Sequence, residues 1–261
     1  MKKIYCLLLL TPVLAMAQGS PFDGTWKVNL QKSQMSRKPE VYLLQSGMYS
    51  CKTCAPPYEV KADGTDQKVA GHPDFDTLAV KVIDDHNVEQ TTKKGDKVMG
   101  SKKDVVSSDG NMMNIDWTYN GNPEGGPISG KAVMKRVAKG PSGANLISGS
   151  WRNEKLQDMP DSALTFTFKS NGDELSYNTP TGQSYSAKLD GSDAPYKGDP
   201  GTTSVSLKRI NDHTIEETDK RDGKPIAVVR ITAAPDGKML TFDVSDKLHN
   251  TTSKWVAEKQ S

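Results

Sequence analysis

The sequence predicts an all-β protein made of two tandem antiparallel up-and-down meander or barrel units of about eight strands each. A shift of 127 positions places residues 60–117 on residues 187–244 without a gap, and 18 of the 58 paired positions are identical. Such self-similarity indicates a duplicated structural unit. In both copies apolar residues alternate with polar ones at a period of two, which is typical of half-buried β-strands.

Most of the identical positions are turn residues. Asp109-Gly110 and Asp236-Gly237 each separate two runs that read as strands. Asp-Gly accepts the positive φ of tight turns, so a pair in this position predicts a β-hairpin. Met113, Ile115 and Trp117 alternate with polar residues after the first turn, as expected for a strand with one buried face.

Both copies open on a similar segment. "DGTWKVN" occupies residues 23–29 and "SGSWRNE" residues 148–154, and a Gly/Pro/Ser-rich stretch lies at 138–146. Such a composition is typical of a joint between structural units. We therefore predict a first unit at 18–137, a linker at 138–146 and a second unit at 147–261.

The N-terminus predicts export. In residues 1–17, Lys2 and Lys3 precede an apolar run, and Ala15-Met16-Ala17 has the small-x-small pattern of a cleavage site. These are the features of a secretory signal peptide, which we expect to be cleaved before Gln18. The run is shorter than the roughly 20 apolar residues that a membrane-spanning helix needs. We expect a periplasmic or extracellular protein without stable membrane insertion.

The charge balance argues against a nucleic-acid partner. Without Lys2 and Lys3 the chain has 32 basic and 32 acidic residues, and the two signs are interspersed. Nucleic-acid and anionic-membrane partners require a basic patch instead. The sequence does not indicate an oligomeric state.

Gly24-Thr25-Trp26 and Gly149-Ser150-Trp151, each at the start of a first strand, resemble the Gly-x-Trp motif of the lipocalins and the broader calycin barrels. The whole mature chain also resembles uncharacterised exported bacterial proteins with lipocalin-like repeats. In the lipocalin group the tryptophan closes one barrel end beneath a basic residue of the last strand. The resemblance implies Lys135 or Arg136 for that role in the first copy and Lys254 in the second. It further implies a closed barrel able to hold one small apolar ligand.

The inward aromatic residues have two possible roles, because an eight-stranded barrel is wide enough either for its own side chains or for a small ligand. The candidates for ligand binding are Trp26, Trp117, Tyr119, Trp151 and Phe242. The same residues would serve a packed core equally well. Both alternatives stay open on the sequence alone.

Cys51 and Cys54 are the only cysteines after residue 17. Redox catalysts place a Cys-x-x-Cys pair where a strand meets a helix, whereas here the surroundings read as strand, turn and two prolines. A metal site is a further alternative. In an oxidising compartment we favour a local structural disulfide between Cys51 and Cys54.

The other polar motifs favour turn structure. His86 and His213 stand at equivalent hairpin ends, and Asp63-Gly64-x-Asp66 matches Asp190-Gly191-x-Asp193. Metal binding is the alternative for both pairs, but Asp, Asn and His are ordinary turn residues. We therefore expect no metal and no cofactor. The sequence has no serine-nucleophile elbow in a strand-to-helix context, phosphate loop or zinc-protease motif, and we assign no catalytic residue.

These observations favour an exported, non-catalytic protein that binds a small hydrophobic molecule in a β-barrel. One alternative is a structural or interaction module of the cell envelope with filled barrel cores. A second alternative is a hydrolase or isomerase built on a barrel. The choice between the first two depends on whether the barrels are hollow.

Overall fold

The computed structural model describes residues 19–261, so the predicted signal peptide and its cleavage site lie outside the described residues. The described chain forms two antiparallel ten-stranded sheets, each nearly closed into a barrel. This confirms the predicted all-β class with two barrel units, although each sheet has ten strands and not eight. Within residues 19–261, no helix has the length and apolar character needed to cross a membrane.

The strands from the first repeat are β1 (Gly24–Val28), β2 (Glu40–Gln45), β3 (Met48–Cys51), β4 (Tyr58–Lys61), β5 (Asp63–Lys68), β6 (Thr77–Val82), β7 (Asn87–Lys94), β8 (Lys97–Val106), β9 (Met112–Tyr119) and β10 (Ile128–Lys139). The second repeat supplies β11 (Gly149–Gln157), the short helix α1 (Asp161–Leu164), β12 (Thr165–Asn171), β13 (Glu174–Asn178), β14 (Ser184–Lys188), β15 (Asp190–Pro195), β16 (Ser204–Asn211), β17 (Thr214–Arg221), β18 (Lys224–Ala233), β19 (Met239–Asp246) and β20 (Thr251–Lys259).

The opening strands of the two repeats are exchanged between the sheets. The first barrel contains β2 to β11, with β11 between β10 and β2, and the second barrel contains β12 to β20 with β1 between β12 and β20. Trp151 lies opposite Glu40 of β2, and Trp26 lies opposite Phe166 of β12. The stretch at 138–146 therefore separates the sequence repeats but not the barrels, because it joins β10 to β11 and both strands belong to the first barrel.

Each barrel has its own hydrophobic core, and each core contains the tryptophan of the other repeat's opening strand. Trp151 packs with Leu44, Met113 and Met134 in the first barrel, and Trp26 packs with Phe168 in the second. Both tryptophans have no exposed surface. A tryptophan is among the largest apolar side chains that folding can bury, so each exchanged strand contributes strongly to the core that receives it.

The buried tryptophans close one end of each barrel. The indole N–H of Trp26 donates to the Phe22 carbonyl at 2.8 Å, and that of Trp151 donates to the Ile147 carbonyl at 2.8 Å. These bonds satisfy the one polar atom of each buried indole.

A cation covers each of these tryptophan rings. The Arg136 guanidinium lies 3.9 Å from the centre of the Trp151 ring, and the Lys259 ammonium lies 5.3 Å from the Trp26 ring. Arg136 thus takes the expected role, but on the tryptophan of the second repeat. The assignment of Lys254 was wrong, because Lys259 is the residue paired with Trp26 between β20 and β1.

The glycine of the Gly-x-Trp motif makes room for this cation. Gly24 and Gly149 have φ values of +138° and +130°, which disfavour residues with a side chain. A Cβ at Gly24 would lie 2.5 Å from Cε of Lys259, and one at Gly149 would lie 2.4 Å from the Ala138 carbonyl oxygen. The positive φ therefore favours glycine at both positions, and at Gly149 the Ala138 backbone leaves no room for a Cβ.

Engineered cysteine pairs test the strand exchange. Thr25 lies opposite Thr167, with 3.1 Å between their hydroxyl oxygens, and Ser150 lies opposite Val41. We expect Thr25→Cys/Thr167→Cys and Ser150→Cys/Val41→Cys to form disulfides, because opposed residues on antiparallel strands can meet the required geometry. Peptide mapping by mass spectrometry would detect them.

The control pair is Thr25→Cys/Val41→Cys, which would be opposed if β1 stayed with its own repeat. Efficient cross-linking of this pair in place of the first two would contradict the exchange.

Candidate functional site

The first barrel holds a cavity of about 440 Å³ at the end opposite Trp151. Sites for small molecules commonly have volumes of about 300–1,000 Å³. Its mouth lies among the loops that follow β3, β5, β7 and β9. The buried residues below it, including Leu44, Val88, Val106 and Met113, form the packed part of the barrel.

Six aromatic side chains line the cavity. Trp117 and Tyr119 face inward because they continue the alternation of the buried residues Met113 and Ile115 along β9. The other aromatic lining residues are Tyr42, Tyr49, Tyr58 and Phe75. Flat apolar faces with hydroxyl groups at their edges suit a small ligand with a large apolar part.

Two of the five predicted ligand-binding residues, Trp117 and Tyr119, line this cavity. Trp26 and Trp151 lie in the closed ends of the barrels, and Phe242 packs against Phe166 in the second barrel at 5.6 Å between ring centres. These three residues are therefore placed for core packing.

A charged pair lies at the inner end of the cavity. The ammonium of Lys102 is 3.1 Å from Oδ1 of Asp104, an ion-pair contact whose angle falls outside hydrogen-bond geometry. The Gln90 side-chain amide donates to Oδ2 of Asp104 at 2.8 Å. Lys102 and Gln90 line the cavity, whereas Asp104 has no exposed surface. The ammonium of Lys102 therefore faces the cavity, and the carboxylate of Asp104 lies behind it.

The surroundings keep Lys102 charged. Burial acts to lower the pKa of Lys102, but the nearby Asp104 carboxylate raises it, and the net shift is upward. Burial also raises the pKa of Tyr58, to about 12, so this phenol is neutral at physiological pH. The cation is consequently set among neutral aromatic groups at the inner end.

The mouth combines a disulfide loop, a stacked histidine and one residue from the second repeat. Cys51 and Cys54 form the predicted disulfide, and Cys54 lies at the rim. The ring of His72 stacks on Phe75 with 4.5 Å between centres. His249, from the turn between β19 and β20, also lines the mouth. The complete rim therefore requires both repeats.

The interior of the second barrel has different contents. Positions 102 and 104 correspond to Val229 and Ile231, which are buried in its core. Its aromatic rings contact one another, with ring centres 5.1–5.8 Å apart in the following pairs: Tyr177 with Tyr185, Tyr185 with Tyr196, Phe166 with Phe168, Phe166 with Tyr177, and Phe168 with Tyr177.

Two acidic side chains point into the second barrel from β17. The Tyr185 hydroxyl donates to Glu217 at 2.5 Å, and Asp219 follows on the same face of the strand. Burial raises the pKa of Glu217 well above its ordinary value and that of Asp219 to about 6. These carboxyl groups therefore take up protons more readily in the folded protein than in the unfolded chain.

The remaining sequence candidates have turn roles. His86 Nδ1 is 2.9 Å from the Val106 carbonyl oxygen, and His213 is exposed. Asp63 accepts from the Thr65 amide, and Asp190 accepts from the Ser192 amide. Among residues 19–261, three or more His, Cys, Asp or Glu side chains do not converge as a metal site would require.

Sequence reasoning missed Lys102, Asp104 and Gln90. The signal was present in "KKDVV" (102–106), because counting back by two from the apolar Val106 places Asp104 and Lys102 on the inward face. Charged residues in the inward phase of a barrel strand are unusual, since burial of a charge is costly.

A larger surface groove, of about 1,020 Å³, runs along β11 and β20 outside the barrels. Its lining is mostly polar and includes Arg152, Glu154, Lys155 and Asp243. Ligand pockets are usually lined by apolar and aromatic groups with few polar ones. The barrel cavity fits that description better.

No protein-family model matches the chain, and comparisons with curated proteins and with solved structures give no match. The geometry of the cavity is therefore the basis on which a function can be proposed.

The acid pair of the second barrel predicts a pH dependence. The pKa of Asp219 is raised to about 6 in the folded protein, so its protonation contributes to the stability of the fold. This contribution is fully present below about pH 4 and is lost as the pH rises through about 6. We expect the wild type to lose thermal stability relative to Glu217→Gln as the pH rises from about 4 to 7. Calorimetry across this range would measure the difference.

Glu216→Gln is the matched control, because Glu216 faces outward on the same strand, next to Arg230. Parallel pH profiles of the wild type and Glu217→Gln would contradict the raised pKa values.

Proposed function

We propose that this protein is an exported, non-catalytic binding protein that takes up one small, largely apolar molecule in the first barrel. The observation that carries the proposal is the aromatic cavity of about 440 Å³ inside a barrel whose other end is closed by Trp151. A cavity closed at one end shields part of a ligand from water, and burial of apolar surface drives binding.

The second barrel supports this proposal by comparison. It has the same strand order as the first, yet contacting rings such as Tyr177 and Tyr185 occupy its interior. The fold therefore accommodates an interior packed with aromatic rings. A cavity also costs stability through lost packing contacts, so its presence in the first barrel favours a functional role.

The closely packed aromatic core of the second barrel supports a structural role for that barrel. Its strands β12 and β20 pair with β1, and its turn between β19 and β20 places His249 at the cavity mouth of the first barrel. In this proposal the second barrel supports the binding site while the first barrel contains it.

Titration with N-phenyl-1-naphthylamine, an uncharged fluorescent probe, tests the proposal. We expect saturable binding at one site per chain. Thr92 lines the cavity from β7, so Thr92→Phe should fill part of it and weaken binding by about tenfold or more. Thr91→Phe is the control, because Thr91 faces outward on the same strand.

Circular dichroism would establish that each variant is folded. A folded wild type without saturable binding would contradict the proposal, and equal affinities of the wild type and Thr92→Phe would place the probe elsewhere on the protein.

A further inference from the structure

We infer that the ligand of the first barrel carries an anionic group, a carboxylate or sulfonate, that pairs with the ammonium of Lys102 at the inner end of the cavity. This inference rests on the proposed function, because it specifies the chemical class of molecule that the cavity takes.

The fold does not need the charged pair. The positions of Lys102 and Asp104 are filled in the second barrel by Val229 and Ile231, which are buried at 8% and 1% exposure. Exchange of a buried ion pair for apolar residues is often neutral or stabilising. The second barrel shows that this backbone accepts the apolar alternative, so the pair in the first barrel calls for a reason other than folding.

The two charges lie at different depths below the cavity mouth. Asp104 has no exposed surface and accepts a hydrogen bond from Gln90, so it lies deeper in the barrel than the cavity lining. Lys102 lines the cavity, and a quarter of its side chain is exposed. A ligand that enters from the mouth therefore meets the cation and not the carboxylate.

The ammonium of Lys102 has N–H donors that a ligand can use. An ammonium has three N–H donors. Among residues 19–261, Asp104 is the one ion-pair partner of Lys102, and the Tyr42 ring centre lies 4.9 Å from Nζ. A carboxylate or sulfonate oxygen is the strongest acceptor that a ligand could offer to such a donor.

The aromatic wall sets the rest of the ligand. Trp117 lies opposite Lys102 on the neighbouring strand, Tyr119 and Phe75 lie nearer the mouth, and the faces of these rings suit an apolar body. Among residues 19–261, no group donates a hydrogen bond to Oδ1 of Asp74, a buried atom at the mouth. An acid at the mouth and a cation at the inner end favour an amphiphilic anion that binds with its charged head inward.

A matched pair of probes separates the head group from the body. 8-Anilino-1-naphthalenesulfonate is N-phenyl-1-naphthylamine with one added sulfonate, so the ratio of their dissociation constants isolates the contribution of the anion. We expect the full-length mature protein to bind the sulfonate about tenfold more tightly than the uncharged probe.

Three variants test the role of Lys102. Lys102→Val/Asp104→Ile copies the residues of the second barrel and leaves no unpaired buried charge; we expect it to keep the uncharged probe and lose the preference for the sulfonate. Asp104→Asn removes the competing carboxylate and should increase that preference. Lys103→Met, on the exposed face of β8, should leave both affinities unchanged.

The outcomes distinguish the two proposals. If neither probe binds the folded wild type, the proposed function fails and this inference falls with it. If the uncharged probe binds but the sulfonate has no advantage, or keeps its advantage in Lys102→Val/Asp104→Ile, the inference about the anion is overturned while the binding function stands.

Discussion

The exchange of opening strands is the constraint on which the rest of the structure depends. Each barrel is closed by a tryptophan from the other repeat, whose indole donates to a carbonyl four residues earlier in the chain and lies beneath a cation of the last strand. Without this exchange, the first sheet would lack the strand between β2 and β10, and the second sheet would lack the strand between β12 and β20. The second barrel therefore closes only with β1, which lies on the other side of the first barrel in sequence, and the tryptophan leaves the opposite end of the first barrel as the end that holds the cavity.

Within this shared framework the two interiors have diverged. The strand order is the same, but Lys102 and Asp104 of the first barrel stand where the second has Val229 and Ile231. Aromatic residues contact one another in both interiors, and in the first barrel six of them also line a cavity. Duplication thus supplies an internal comparison, because one copy shows what the backbone needs for stability and the other shows what has been added to it.

Much of the fold could be predicted from the sequence, since alternation and Asp-Gly turns are local signals. The Cys51–Cys54 disulfide also followed from spacing and compartment. The exchange could not be predicted, because β1 and β11 carry the same Gly-x-Trp signal and each can satisfy either barrel. The cavity could not be predicted either, because inward aromatic residues such as Trp117 can belong to a packed core or to a binding site.

Location of a bound ligand would test the central claim most directly. A crystal of the protein soaked with a bromine-labelled aliphatic carboxylic acid would report the position of the bromine by its anomalous scattering. The account predicts one site within the first barrel, with the carboxylate at Lys102 and the labelled tail toward Tyr119 and the mouth. An empty first barrel, with the label in the groove along β11 and β20 or inside the second barrel, would contradict it.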